Sequence, residues 1–180
     1  QKSYKLNEGA SIFAYSVVDP ERYGVVDFDS KGLAYNIEEK PKNPKSKFAI
    51  TGLYFYDNTV VEKAKKIKPS YRGELEITDI NKMYMKEGKL IVEKMNRGMT
   101  WLDAGTTDSL HEASSYIRSL EKRQGLKIGC PEEVAWRVGF IDDAQLFSLS
   151  IGLTKSGYGK YLQNLLNENK NHLGSQTIKI

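Results

Sequence analysis

The amino-acid sequence predicts an α/β fold with a mixed sheet, followed by an appendage made only of helices. Short runs rich in β-branched and aromatic residues alternate with helical patterns over roughly the first two thirds of the chain. The last third holds only short helical patterns, which glycine-containing breaks separate. A length of 180 residues suffices to bury a core, so one domain with an appendage fits the chain.

The composition argues against several classes of protein. The net charge of +4 is small and dispersed, which disfavours nucleic-acid binding, and an aromatic content of 11% disfavours disorder. No apolar run approaches the roughly 18 residues of a membrane span and no signal-peptide core is visible, so we expect no membrane partner and a cytoplasmic location. The single cysteine, Cys130, cannot form an internal disulfide, and His111 and His172 lack partners at zinc-ligand spacing.

The first predicted elements are a core strand and a hairpin. Residues 9–18 form a hydrophobic run typical of a strand inside a sheet, and a proline-containing turn follows over 19–22. Runs over 24–29 and 33–40 are joined by a short polar connection ending in glycine, which predicts the hairpin. In its second arm the period of two puts four side chains on one face: Leu33, Tyr35, Ile37 and Glu39. That apolar face therefore ends in a carboxylate, and Pro41 ends the strand.

The middle of the chain continues the alternation of strands and helices. We predict a strand over 48–56, helices over 58–68 and 78–87, and a strand over 89–94. Gly52 lies inside the first of these strands, where a missing side chain lets a ligand or another backbone come close.

The clearest helix follows residue 105, where four apolar residues recur at three- and four-residue steps: Leu110, Ala113, Ile117 and Leu120. Ser109 and Glu112 have capping-box spacing at its start, and Thr106 or Thr107 would cap it equally well. Further helices are predicted over 132–138, 142–149 and 158–167. We accordingly predict an α/β part over 1–125 and a helical appendage over 126–180.

Charged residues and glycines lie at the ends of several predicted strands, where sheet proteins commonly build ligand sites. The runs are Asp-Pro-Glu-Arg-Tyr-Gly-Val-Val, Glu-Glu-Lys-Pro, Thr-Gly-Leu-Tyr-Phe-Tyr-Asp, Arg-Gly-Glu-Leu-Glu-Ile-Thr-Asp-Ile-Asn and Trp-Leu-Asp-Ala-Gly-Thr. Each run alone is most simply a solvated strand end. In this order, and with Cys-Pro-Glu-Glu-Val-Ala further on, they resemble the glucose-1-phosphate thymidylyltransferases, a family of sugar nucleotidyltransferases. The resemblance covers about residues 9–166.

The resemblance implies the C-terminal part of a Rossmann-like nucleotidyltransferase fold and a reaction between dTTP and α-D-glucose 1-phosphate. The products would be dTDP-glucose, the first intermediate of dTDP-rhamnose synthesis, and pyrophosphate. Because the reaction joins two polyanions, its site must supply positive charge and in-line positioning. By family analogy the catalytic residues would be Lys40 and Arg72, both near the phosphate of the sugar phosphate. The same analogy gives a substrate-binding set of Tyr23, Gly24, Glu39, Lys40, Gly52, Arg72 and Trp101.

Further family positions suggest a metal and a second site. Asp103 matches one of two aspartates that hold Mg²⁺, a hard cation that prefers carboxylate oxygen. A regulatory site for the end product at a subunit contact, in a homo-oligomer that is usually a tetramer, would use Arg97, Glu133, Val134 and Arg137. A salt bridge between Glu133 and Arg137 at i,i+4 explains the latter pair equally well. Trp101 could likewise be a core residue alone.

Part of the family pattern is not found in these residues. The glycine-rich loop that wraps the triphosphate, the catalytic lysine after it and the first metal aspartate have no counterpart here. We therefore expect this polypeptide alone not to catalyse the reaction. Either the residues belong to a thymidylyltransferase with a further N-terminal portion, or they form a non-catalytic sugar-phosphate-binding or oligomerisation subunit. The presence of Glu39, Lys40, Arg72 and Asp103 favours the first hypothesis.

Overall fold

A computed structural model describes residues 8–175, with side chains described up to residue 168. The chain divides into two compact units, one ending at Leu102 and the other beginning at Asp103. The strands are β1 (Ala10–Ser16), β2 (Gly24–Phe28), β3 (Ala34–Glu39), β4 (Phe48–Tyr56) and β5 (Leu90–Lys94). The helices are α1 (Val60–Ala64), α2 (Ile77–Lys86), α3 (Thr107–Gln124), α4 (Pro131–Arg137), α5 (Asp143–Ile151) and α6 (Tyr158–Ser175). The predicted α/β class is confirmed.

The first unit is a mixed five-stranded sheet in the order β3-β2-β4-β1-β5. Strand β1 lies between β4 and β5, and it runs antiparallel to β4 and parallel to β5, which makes the sheet mixed. Apolar side chains of β1, β2, β3 and β4 form a buried cluster: Ile12, Ala14, Val26, Ile37 and Ile50. Helix α2 adds Ile80 and Tyr84, which pack beside Ala10. This packing fixes the start of α2 near the end of β3, where the candidate site lies.

The predicted apolar face of β3 is wrong in its first half. Ile37 is buried, but Leu33 and Tyr35 are 65% and 56% exposed. The cause is a register shift, because Phe28 pairs with Ala34 whereas the preceding residue of β2 pairs two positions further along β3. Tyr35 is the extra residue of this bulge, so the side chains before it change faces. Beyond the bulge the prediction for Ile37 and Glu39 agrees with the observed burial.

Two helix predictions also differ in detail. Helix α1 ends at Ala64, whereas the sequence predicted a helix to residue 68. In α3 the cap is Thr106, whose side chain accepts from the Ser109 backbone while the Ser109 side chain accepts from the Thr106 backbone. This capping box therefore uses one of the two threonines that the sequence left open, rather than the Ser109 and Glu112 spacing.

The second unit is helical. Its core comprises Cys130 from the start of α4, Leu146 from α5, and Leu162, Leu165 and Leu166 from α6. Helix α3 is grouped with these helices by compactness, while the predicted domain boundary at residue 125 stays a prediction. Among the residues described, none of the helices combines the length and the apolar character that crossing a bilayer demands.

Candidate functional site

A cleft of about 420 Å³ opens where β3 ends and α2 begins. Charged side chains dominate its lining: Glu38, Glu39, Lys40, Lys42, Glu76, Asp79 and Lys82. Carboxylates and ammonium groups thus share a small space, which suits a ligand that carries both hydroxyl groups and negative charge. Two of the sequence-predicted site residues, Glu39 and Lys40, line this cleft directly.

Lys40 has an unusual backbone. Its φ is 44°, and among the residues described it is the sole residue other than glycine with a positive φ. For a side chain with a Cβ this left-handed conformation costs roughly 1–2 kcal/mol. The Lys40 N–H donates a 3.0 Å hydrogen bond to the Tyr23 carbonyl oxygen, which ties the end of β3 to the start of β2. Such strain is concentrated at functional sites, where the surrounding structure holds it in place.

Glu39 presses its carboxylate against a glycine. A Cβ added to Gly24 would lie 3.1 Å from Glu39 Oε2 and 2.8 Å from the Thr78 methyl carbon. Gly24 is therefore required for this close approach of β2, β3 and α2. Burial is the main cause that raises the pKa of Glu39, and repulsion from Glu76 adds to it. Lys40, the nearby Thr78 hydroxyl and Arg72 act in the opposite direction, although the hydroxyl makes no hydrogen bond of good geometry.

Arg72 lies among three carboxylates. Its Nη2 is 2.7 Å from Glu74, and its Nη1 is 3.4 Å from Glu76 and 3.6 Å from Glu39. The structure thus brings Gly24, Lys40 and Arg72 together around the carboxylate of Glu39. A half-buried guanidinium beside an exposed ammonium can bind a phosphate, because both carry donors that match phosphate oxygens.

Tyr23 and Trp101 form an aromatic pair next to this group. Their rings meet edge to face with centroids 5.1 Å apart, and Tyr15 approaches Trp101 on another side at 6.2 Å. Trp101 is half-buried, so part of its surface remains available for a ligand. The pair is coupled to Lys40 through the Tyr23 backbone.

Gly52 lies where β1 and β4 lose register, between the pairs of Ile12 and Ala14. The glycine is exposed, and a Cβ built on it would meet no atom within 4 Å. The space beside Gly52 is therefore open, as a role in ligand approach requires, whereas Gly24 is already in contact with its neighbours.

Asp103 belongs to the other unit. It is half-buried, and its Oδ1 accepts a 3.2 Å hydrogen bond from the Gly105 N–H. Among the side chains described, up to residue 168, no three of His, Cys, Asp or Glu come together as a metal cluster. Asp103 fits Mg²⁺ as one carboxylate ligand, since this ion takes one or two carboxylates and completes its shell with phosphate oxygens and water.

The predicted regulatory residues fall in both units. Arg97 is exposed and forms an isolated bridge with Met99. On α4, Arg137 Nε donates to Glu133 at 2.7 Å, and Val134 is 59% exposed. The i,i+4 salt bridge that the sequence offered as the alternative is therefore formed.

Ser70 and Glu76 also belong to the group around Glu39, although no sequence motif indicated a role for them. Glu76 stands at the N-cap position of α2. Its side chain makes no capping bond, however, and accepts from Ser70 Oγ at 2.8 Å instead. The one available signal was composition, because a cation and two carboxylates lie within five positions at Arg72, Glu74 and Glu76 and can form ion pairs.

Comparisons with known proteins agree with one another. Residues 1–119 match the family described as nucleotidyl transferase. Glucose-1-phosphate thymidylyltransferase from Mycolicibacterium smegmatis is 58% identical over 158 residues, covering 88% of this chain and 55% of the relative. The protein of that name from Mycobacterium tuberculosis is 54% identical over 168 residues, covering 93% of this chain and 58% of the relative. The chain thus spans somewhat more than half the length of these curated relatives.

A solved structure is also similar to this chain in sequence and in fold. A crystal structure assigned to a glucose-1-phosphate thymidylyltransferase from Bacillus anthracis, in complex with sucrose, is 44% identical with a TM-score of 0.58. The match covers 72% of this chain and 48% of that one.

Proposed function

The chain belongs to the nucleotidyl transferase family, and from this premise we propose that it forms the sugar-phosphate-binding part of a glucose-1-phosphate thymidylyltransferase. The observation that carries the proposal is the approach of Arg72 to the Glu39 carboxylate, beside Lys40 at the end of β3. Arg72 comes from a distant part of the chain, and together these groups offer two cations for a phosphate and a carboxylate for sugar hydroxyls.

The proposed reaction transfers a thymidylyl group. An oxygen of the α-D-glucose 1-phosphate phosphate attacks the α-phosphorus of dTTP, and the bond from that phosphorus to the leaving pyrophosphate breaks. The products are dTDP-glucose and pyrophosphate, so no oxidant or further reactant is needed. Catalysis of this step depends on holding the two anions in line and on neutralising their charge.

The residues that the sequence predicted as substrate-binding would share that task. The Lys40 ammonium and the Arg72 guanidinium would bind the phosphate and offset its repulsion toward the nucleotide. Glu39 would accept hydrogen bonds from sugar hydroxyls. The sugar ring would lie against Tyr23 and Trp101, whose half-buried rings present apolar surface. Gly52 would leave room for the ring, while Gly24 would let Glu39 approach it closely.

Asp103 would hold Mg²⁺, which when bound supplies positive charge to the phosphates. The nucleotide would be bound by a glycine-rich loop and a lysine like those of the family, in a portion preceding these residues. We also propose the family's tetrameric assembly, a cytoplasmic location and a role at the start of dTDP-rhamnose synthesis. Regulation through Arg97, Glu133, Val134 and Arg137 belongs to the same proposal.

Binding of α-D-glucose 1-phosphate to the 180-residue chain tests the proposal by isothermal titration calorimetry. We expect Lys40→Ala to weaken this affinity by about tenfold or more, because a charge-assisted hydrogen bond to the phosphate is lost. Lys45→Ala is the matched control, since Lys45 is an exposed lysine a few residues further along the chain that does not line the cleft. Equal affinity of Lys40→Ala and the unaltered chain would contradict the role of Lys40.

A further inference from the structure

Arg72 is carried by a short loop whose conformation depends on Ser70. The Ser70 N–H donates to the Glu74 carbonyl oxygen at 2.8 Å, and the Gly73 N–H donates to the Ser70 carbonyl oxygen at 2.9 Å. The Arg72 N–H donates to Ser70 Oγ at 3.1 Å. One serine thus organises the backbone on both sides of the arginine.

Glu76 connects this loop to α2. Its Oε1 accepts from Ser70 Oγ at 2.8 Å and lies 3.4 Å from Arg72 Nη1. The same oxygen therefore holds the serine that shapes the loop and one arm of the guanidinium that the loop carries. Glu76 is 7% exposed, so its position is set by the packing at the start of α2.

Glu74 contacts the same guanidinium, but it is exposed to solvent whereas Glu76 is buried. Its carboxylate is 2.7 Å from Arg72 Nη2, but its side chain is 60% exposed, against 9% for Glu76. An exposed ion pair contributes little and exchanges readily with an anion from solution, whereas a buried charged contact is costly to break. The two glutamates thus differ in burial although both pair with Arg72.

We propose that Glu76, together with Ser70, is the positioning residue that orients the Arg72 guanidinium for the phosphate of the sugar phosphate, while Glu74 is the exchangeable partner that this phosphate displaces. The inference rests on the proposed function, because it assigns the group that Arg72 binds. It extends that function by distinguishing two carboxylates that share one arginine.

For Glu76, the expected change in phosphate affinity is opposite to the change that electrostatics alone predicts. Removal of a negative charge beside an anion site raises the affinity for anions if charge is all that matters. Glu74→Gln follows this rule, because it removes a competitor and leaves the loop in place. Glu76→Gln should instead lower the affinity, because the loss of orientation of Arg72 outweighs the loss of repulsion between Glu76 and the phosphate.

Titration calorimetry of the full 180-residue chain with α-D-glucose 1-phosphate tests both assignments. We expect Glu76→Gln to weaken the affinity about tenfold, as loss of a hydrogen bond to a charged group does. We expect Glu74→Gln to strengthen it about twofold to fivefold, as removal of an exposed ion pair does. Binding of glucose, which lacks the phosphate, is followed by NMR chemical shifts and should be unchanged in both variants.

Two further variants distinguish a specific loss of phosphate binding from a general loss of folding. Ser70→Ala removes the hydroxyl but no charge, and we expect it to weaken glucose 1-phosphate binding while the binding of glucose is kept. In a chain that already carries Arg72→Ala, Glu76→Gln should cause no further weakening, since there is no guanidinium left to orient.

The outcomes separate this inference from the proposed function. Unchanged or tighter binding by Glu76→Gln, in a chain where Arg72→Ala weakens binding, overturns the positioning role alone. Loss of glucose binding together with glucose 1-phosphate binding shows a merely structural role and also overturns it. Unchanged or weaker binding by Glu74→Gln overturns the exchange. No binding of glucose 1-phosphate by the unaltered chain overturns both the proposed function and this inference.

Discussion

The charged groups at the end of β3 and those on α4 are built in different ways. Around Glu39, charges come from a strand end, a loop and the start of a helix, and the backbone of Lys40 is strained. On α4 the ion pair of Glu133 and Arg137 joins residues four apart on one helix. The first arrangement needs the tertiary fold, whereas helical geometry alone suffices for the second.

The two regions also differ in what their carboxylates do. Burial and repulsion from Glu76 raise the pKa of Glu39, so its ionised form is disfavoured in the folded chain. Glu133 instead accepts from both Arg137 and the Tyr161 hydroxyl, and burial followed by this contact raises the pKa of Tyr161 to about 12. Glu39 thus lies beside a second carboxylate as well as cations, whereas Glu133 is held by two hydrogen-bond donors.

Of the substitutions that distinguish the two regions, Gly24→Ala is expected to have the largest effect on stability and on ligand binding. The added Cβ would lie 2.8 Å from the methyl of Thr78, a buried β-branched residue that cannot easily move. We expect a loss of about 1–3 kcal/mol in the free energy of unfolding, as for other overpacked sites, together with loss of glucose 1-phosphate binding. Chemical denaturation and calorimetry measure the two effects.

Gly52→Ala is the matched control for that change, because open space surrounds its added Cβ. It should leave the free energy of unfolding within about 1 kcal/mol of the original while it weakens ligand binding. If Gly52→Ala destabilises the chain as much as Gly24→Ala does, the contrast between the two glycines is wrong.

A smaller effect is expected at Lys40. Lys40→Gly and Lys40→Ala both remove the ammonium group, but only glycine adopts the φ of 44° without steric cost. We therefore expect Lys40→Gly to be more stable than Lys40→Ala by about 0.5–1 kcal/mol, and both to bind glucose 1-phosphate poorly. Urea unfolding of the two variants side by side measures the difference. Equal stabilities would show that the end of β3 carries no strain.

The smallest effect is expected on α4. Arg137→Ala removes an ion pair whose arginine is 58% exposed, and we expect a loss of about 0.5 kcal/mol or less in the free energy of unfolding. Binding of glucose 1-phosphate should not change. Thermal unfolding in low and high salt checks this, because an exposed pair weakens when salt screens it. A loss above about 2 kcal/mol, well beyond the value of an exposed ion pair, would show that the pair on α4 depends on tertiary contacts as the group around Glu39 does.

Much of the fold was predictable because it depends on local pattern. Period-two alternation, proline and glycine located the strands, and three- and four-residue steps located α3. The bulge at Tyr35 was not predictable in this way, since propensity does not reveal where neighbouring strands fall out of register. Helix ends were also beyond it, because several residues fit each end: α1 is shorter than predicted, and the cap of α3 was open between Ser109, Thr106 and Thr107.

The sequence by itself determined the α/β class, and the resemblance of its ordered motifs to a known family indicated Glu39, Lys40 and Arg72 as candidate residues, because both depend only on the order of residues along the chain. Only the tertiary structure decided that Gly24 touches Glu39, that Lys40 is left-handed and that Ser70 and Glu76 hold Arg72. These contacts join residues from different elements. They depend on strand register and on how α2 packs against the sheet, and no local pattern of residues encodes those distances.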